Sequence, residues 1–480
     1  MRKSFVQSTV FNVGYKVLNV FFPLITSMYV SRVLGPEGTG RVAYAQNILS
    51  YFLIFASVGI PTYGIKEIAR NSSNRINTSK SFSELFIINA FTTTLCIIVY
   101  VSLVLSIPAF RSDQHVFFAV GIPLFMNYLN IDWLYAGNEE YVYITVRSTI
   151  VKVIAILSLF IFVRNRDDVV KYALVSSIGL SANYLLNIYN TKNRVKLSLR
   201  ALEFRKHIKP VSILLLTMLA TDLYNQIDIT MMGSTCTKAE IGYYSYAVKV
   251  IRIVTSITTA VSATMLPRLS QYYNDKKKDR FDIFTNKVLG AVILLAIPCT
   301  AGVVLCSNNI ILVLFGAEFQ ETIPLVRILS PIILIISISY LCGSIVLTAI
   351  NKEKYLLYAT LAGACINITL NAILIPLYHG EGAAVASVVA ELLVFVLHYL
   401  FSSKYVHYRI ISVENFKTVI AAVVMIGVVT VITILIKRPI INLTLSISLG
   451  AFAYFSVLFI SKHELVLEGV KFLEKLRRNK

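Results

Sequence analysis

The chain has 480 residues, 56% of them hydrophobic and only 15% charged, with a mean hydropathy of +0.71. Soluble domains carry about a quarter charged residues, so a water-soluble globular protein is excluded. The formal net charge is +20, which in a soluble chain would suggest a nucleic-acid partner, but here the basic residues sit in the polar punctuation between apolar runs, and nucleic-acid binding is set aside.

Apolar runs of about 20 residues, long enough to cross a ~30 Å hydrocarbon core as helices, recur along the whole chain and leave no room for a soluble domain. In chain order they predict membrane helices over 9–31, 42–64, 82–107, 116–136, 142–163, 169–189, 209–232, 241–265, 283–306, 324–349, 355–376, 383–402, 416–436 and 442–460. A membrane barrel would need short strands of alternating polarity, and runs such as VILLAIPCTAGVVLC do not alternate. The basic start MRKSF resembles a signal peptide, but the apolar run behind it is too long and lacks a small-residue cleavage site, so it reads as the first membrane helix. The expected fold class is an all-α integral membrane protein of about 14 helices. Its expected parts are a six-helix lobe over 1–205, a second over 206–405, and two extra helices with a basic tail over 406–480.

Charge placement predicts orientation. With both termini in the cytoplasm, the outward connections hold about 9 Lys and Arg, and the inward connections plus termini about 30. The densest inward stretches are TKNRVKLSLRALEFRKHIKP (191–210), DKKKDR (275–280) and EKLRRNK at the end. Such segments are also attracted to anionic headgroups. The six cysteines lie mostly inside apolar spans without paired spacing, so neither a disulfide framework nor a metal site is expected.

An internal echo supports two lobes. GRVAYA (40–45) and GYYSYA (242–247) align Gly40, Tyr44 and Ala45 with Gly242, Tyr246 and Ala247 at an offset of 202 residues, each just after an outward loop. YAGNEEY (135–141) against TAINKEKY (348–355), and YALVSSIGL (172–180) against AAVASVVAE (383–391), keep the order at similar offsets. Six helices is an even number, so the copies are parallel, and two such bundles can rock around a central cavity in alternating access. The glycine permits a tight turn and a close helix start, while the tyrosine is expected at headgroup level.

Ionisable residues at bilayer depth are costly and point to function. Asn12, Lys16 and Asn19 share a face of the first helix; Asp132 lies in the fourth; Arg147 and Lys152 in the fifth; Asp222, Asn225, Gln226 and Asp228 in the seventh; Lys249 and Arg252 in the eighth. Arg327 and Glu391 follow in the tenth and twelfth. A cavity lined by Lys16, Lys249 and Arg252, supported by Lys152 and Arg147, would attract an anion. Asn12, Asn19, Asp132, Asp222, Asn225 and Asp228 are candidates for cavity polarity or for coupling to H⁺ or Na⁺; structural ion pairing and snorkelling are the competing readings. VGIPTYGIKEIAR (58–70) and ATMLPRLSQYY (263–273), with Pro298, Pro324, Pro331 and Pro376, are candidate hinges or helix ends. The six histidines read as interfacial, and the tail HELVLEGVKFLEKLRRNK as an amphipathic surface helix. No phosphate-binding G-x-x-x-x-G-K-[ST] loop, H-E-x-x-H or nucleophile elbow occurs, so neither ATP hydrolysis nor other catalysis is expected.

YVSRVLGPEGTGRVAYAQNI, VGIPTYGIKEIAR, DWLYAGNEEY, IGYYSYAVKV, LPRLS, LFGAEF and GAAVASVVAE, in that order, resemble the polysaccharide transporter (Wzx-type flippase) branch of the multidrug/oligosaccharidyl-lipid/polysaccharide exporter superfamily. The resemblance covers nearly the whole chain. It implies a V-shaped pair of six-helix lobes like those of the multidrug (MATE) exporters, plus two peripheral helices. It implies a transporter of the bacterial cytoplasmic membrane that flips an undecaprenyl-pyrophosphate-linked oligosaccharide for O-antigen, capsule or exopolysaccharide assembly, with no cofactor and with a polysaccharide polymerase and chain-length regulator as partners. Lysine and arginine suit a pyrophosphate. Two alternatives stay open: a multidrug or small-molecule antiporter of the same superfamily, disfavoured by a basic cavity, and a membrane-embedded glycan polymerase or ligase, disfavoured by short outward loops.

Overall fold

The computed structural model describes residues 2–72, 74–191, 195–198 and 202–478, without the side chains of 2–22, 188, 472, 473 and 475–478. Among the described residues every regular element is helical, as a bilayer demands of a chain whose backbone groups must be satisfied internally. Ten helices among the described residues are long and apolar enough to cross a membrane. Two of them contain breaks: Arg2–Ser57 at Gly35 (φ 66°, ψ −176°) and Lys354–Ser402 at His379 (φ 51°, ψ −127°). At the second break the Leu374 carbonyl lies against Gly382, eight residues on, so the chain doubles back and the helix holds two crossings. Counting each broken helix twice, and adding Arg205–Thr235 and the segmented stretch Gln114–Gly137, gives the fourteen crossings expected.

The stretch predicted as one helix over 116–136 is instead a chain of short pieces: Gln114–Val120, Ile122–Phe125, a 3₁₀ turn at Asn127–Leu129, and Asp132–Gly137. Pro123 cannot donate to the ladder. Asn127 meets the interruption from the side: its Nδ2 donates to Asn89 Oδ1 (3.1 Å) and Thr93 Oγ1 (2.8 Å), and Asn89 Nδ2 returns a bond to the Asn127 carbonyl (2.8 Å). The two proline motifs mark helix restarts. Ile60–Asn71 begins after Gly59 (φ 74°) with Pro61 in its first turn, and Leu266–Asn274 begins with Pro267 there. Pro298 lies inside the unbroken helix Lys278–Leu314, and Pro331 opens Pro331–Tyr340.

The chain divides into two compact units, Met1–Gly233 with Thr237–Gly242, and Ser234–Cys236 with Tyr243–Lys480. The first unit thus includes the helix Arg205–Thr235 as far as Gly233. Its core gathers Ile60, Ile68, Phe82, Leu85, Leu134 and Tyr135 around the chain's single tryptophan, Trp133, whose ring packs on Gly64. In the second unit Val288, Leu289, Val292 and Ile293 of Lys278–Leu314 pack on the π-helical segment Leu341–Leu347. The opposite side of the same helix receives Val413–Leu435 and Pro439–Ile460 through Ala421, Ala422, Met425 and Tyr454, whose hydroxyl donates to the Leu294 carbonyl at 2.7 Å. Outward faces carry Phe91, Leu95, Ile98, Ile434 and Phe452, a surface that only lipid would solvate well. The tail forms the helix Glu464–Arg478, held near its start by Val466 against the core and by Lys287 to Glu468 at 2.5 Å. All six cysteines are free thiols.

Candidate functional site

The sequence echo meets itself in space. Within the first unit, a methyl group on Gly40 would overlap the Lys238 carbonyl and lie 2.8 Å from the Gly242 nitrogen; one on Gly242 would overlap the Pro36 carbonyl. Pro36 and Lys238 stand at the same offset of 202 residues as Gly40 and Gly242, so the contact is reciprocal. Beside it the Tyr44 ring lies against Gly233, and the Lys238 ammonium sits 4.0 Å from that ring's centroid, a cation–π contact. The glycines serve backbone approach as expected, and both tyrosines of the echo are packed within protein. Tyr44 is buried here, and Tyr246 is buried against Phe315 and Phe319 in the second unit.

The polar residues of Arg205–Thr235 are bound to the second half of Arg2–Ser57. Asn47 Nδ2 donates to the Gln226 carbonyl (2.8 Å), Thr230 Oγ1 donates to Asn47 Oδ1 (2.7 Å), Tyr51 and Thr230 share a hydroxyl contact (2.9 Å), and Ser50 Oγ donates to Asp222 Oδ2 (3.0 Å). Asp228 is buried, whereas Asn225 is exposed and turns its amide to the Thr221 carbonyl (2.7 Å). Asp222 therefore sits in an ordered hydrogen-bond ladder.

Asp132 and Arg147 come together. Arg147 Nη2 donates to Asp132 Oδ1 at 3.0 Å, Asn187 Nδ2 donates to the same oxygen, and the guanidinium lies 5.3 Å from the Tyr143 centroid. The Arg147 side chain is 3% exposed and Asp132 43%, so the pair reaches from the interior to an accessible edge. Arg147 Nε and Nη1 are buried without a hydrogen-bond partner among the described residues. Lys152, one turn on, is half-buried. In the second unit Lys249 is half-buried with its ammonium 4.2 Å from the Tyr246 centroid, and Arg252 is exposed. Arg327 is exposed, and its Nε donates to Ser307 Oγ at 2.9 Å. The side chains of Asn12, Lys16 and Asn19 lie outside the described residues.

One cluster escaped the sequence reading. Glu84 is fully buried and accepts from Lys206 Nζ (2.8 Å), His207 Nε2 (2.8 Å) and the Glu203 backbone N–H (2.7 Å), while His207 Nδ1 contacts the Tyr63 hydroxyl (2.9 Å). Nearby, Lys80 pairs with Glu203 at 2.6 Å and holds that exposed carboxyl below its ordinary range. The available signal was Glu84 itself, a carboxylate inside the predicted span 82–107. Three of the six histidines, His207, His398 and His463, are buried and hydrogen-bonded within protein, His398 to Ser339 at 2.9 Å.

A multi-pass helical fold carrying buried ion pairs and polar ladders marks an integral membrane protein. Solved transporters share the fold: "Lipid II flippase MurJ, inward closed conformation" matches with a TM-score of 0.77 at 17% identity, over 95% of this chain and 100% of that one. An inward-facing multidrug resistance MATE transporter of the MOP superfamily matches with 0.65 at 13%, over 80% and 93%. Residues 5–273 match the polysaccharide biosynthesis protein family, and the chain belongs to that family. Residues 214–373 also match the MatE family. Among named relatives, the "Putative O-antigen transporter" of Escherichia coli K12 is 21% identical over 398 residues, 80% of this chain and 93% of that protein.

Proposed function

We propose that the chain is a flippase that carries a polyprenyl-pyrophosphate-linked oligosaccharide from the cytoplasmic to the outer leaflet of a bacterial cytoplasmic membrane by alternating access, with both termini in the cytoplasm. The observation that carries the reading is the conjunction, in one chain, of a polysaccharide biosynthesis family match with a fold shared along 95% of its length with a lipid II flippase. In this reading lobes 1–205 and 206–405 alternate, and the glycan headgroup travels through a polar path while the polyprenyl tail stays in lipid.

The pyrophosphate is assigned to Lys16, Lys249 and Arg252, with Lys152 and Arg147 supporting, because guanidinium and ammonium groups in a partly desolvated site bind phosphate oxygens strongly. Lys249 and Arg252 are three residues apart on Lys238–Ala263 and present two donors to one ligand face. Asp222 and Asp228 are assigned to coupling an H⁺ or Na⁺ gradient. A polymerase and a chain-length regulator are the expected partners. The MatE match favours the second reading, export of small molecules.

The test is the exposure of lipid-linked oligosaccharide to an external probe in cells with and without the protein. Depletion is expected to strand the intermediate inside, and Lys249→Ala with Arg252→Ala to do the same. Unchanged exposure removes the flippase assignment, and drug sensitivity on depletion would favour the exporter.

A further inference from the structure

A pocket of about 510 Å³ opens in the second unit where three inter-helix connections converge. Its walls come from the turn between Leu266–Asn274 and Lys278–Leu314, the residues before Lys354–Ser402, and the residues after it. The charge-predicted topology puts all three connections on the cytoplasmic side. The size suits a small ligand.

Its lining chemistry has one sign. Lys276, Lys278 and Lys404 bring three ammonium groups, and Tyr272, Tyr273 and Tyr405 bring hydroxyl donors and ring faces, over a floor of buried Phe281 and Ile350. No carboxylate lines the pocket. Asp275, Asp279 and Asp282 are next in sequence to lining residues but do not line the pocket, Asp275 pairs with Lys277 at 2.8 Å, and among the described residues none of the three lining lysines forms an ion pair. The turn is also conformationally unusual. Lys276 adopts φ 56°, a left-handed geometry usually left to glycine or asparagine, while its N–H donates to Tyr273 and that of Lys277 to Tyr272, both at 3.0 Å. Three like charges around one concavity repel one another unless an anion sits between them.

We propose that this pocket binds a phosphate-bearing ligand, its oxygens held by Lys276, Lys278 and Lys404 and by tyrosine hydroxyls. The site is separate from the translocation residues assigned above and does not depend on them. Two sources supply this chemistry at a membrane face: the headgroup of an anionic phospholipid, and a free phosphorylated solute.

Two arms tell them apart, using the full chain in nanodiscs. In phosphatidylcholine alone, inorganic pyrophosphate is titrated calorimetrically. In an equimolar phosphatidylcholine–phosphatidylglycerol mixture, lipid retained on the protein is read by native mass spectrometry. The combined Lys276→Ala, Lys278→Ala and Lys404→Ala variant is expected to weaken binding at least about tenfold in the arm matching the true ligand, and Lys66→Ala, in the other unit, to leave it unchanged. Lys404→Gln alone, which spares the 275–278 turn, is expected to weaken it about threefold and serves if the combined variant does not fold. The Lys249→Ala, Arg252→Ala pair is expected to keep pocket binding. Absence of binding in both arms, or binding that follows Lys249 and Arg252 and ignores the pocket lysines, overturns the proposal.

Discussion

Replacing Gly40 by alanine adds one methyl group where the Lys238 carbonyl and the Gly242 nitrogen already stand. The obstructing atoms are backbone, so they cannot swing aside as a side-chain terminus would. Overpacking a close-packed site costs roughly 1–3 kcal/mol, and rigid neighbours place this site at the upper end. Against that, removing a glycine from a helix interior gains about 1 kcal/mol. The net expectation is a loss of about 1–2 kcal/mol, and the same for Gly242→Ala at the Pro36 carbonyl. Gly302 and Gly427, in helices with nothing within 4 Å, provide the contrast: alanine there is expected to stabilise by up to about 1 kcal/mol. The assay is the fraction of monodisperse protein surviving heating, read by size exclusion, with Trp133 fluorescence reporting the first unit directly. If Gly40→Ala tolerates heat as well as Gly302→Ala does, the close-approach argument is wrong.

Two further outcomes follow from buried and capped charge. Glu84→Ala leaves buried His207 and the Glu203 N–H without their acceptor, while Lys206, 37% exposed, can turn to solvent; unsatisfied buried donors typically cost about 1–3 kcal/mol each, Glu84→Gln, which keeps an acceptor, should cost less in the same heating assay, and equal losses would contradict the acceptor account. Asp168 accepts from the Arg164 and Asn165 backbone N–H groups (2.9 Å each) and from Lys171 (2.7 Å) in the connection before Val169–Thr191, and these contacts, Lys171 first, lower its pKa to about 2. A carboxylate lowered on folding contributes stability that is complete above its unfolded value of about 3.9 and is lost as pH falls toward about 2. Asp168→Asn should therefore flatten the fall in thermal midpoint between pH 5 and 3, and an unchanged slope would refute it.

The membrane class, the number of crossings and the family were legible because each rests on a long-range regularity: apolar run length, charge placement and motif order. Gly40 and Gly242 were legible too, since a residue chosen for backbone approach leaves a mark wherever the approach recurs. The packing of Tyr44 and Tyr246 was not legible, because an amphipathic ring fits both a lipid-facing belt and a polar-tipped core, and only partners such as Gly233 and Phe315 decide. The broken helix at 114–137 was invisible because hydropathy averages over the Asn127 bonds that make the interruption affordable. Glu84 and His207 were missed for the opposite reason. Their partners lie more than a hundred residues apart in sequence, and nothing local announces the pairing.

The reciprocal contact at Gly40 and Gly242 ties the two positions together. Gly40 stands against the Lys238 carbonyl and Gly242 against the Pro36 carbonyl, and the two glycines also border each other. A backbone shift that makes room for a methyl group at one therefore alters the space at the other, so the two substitutions are not independent and their energies are not expected to add.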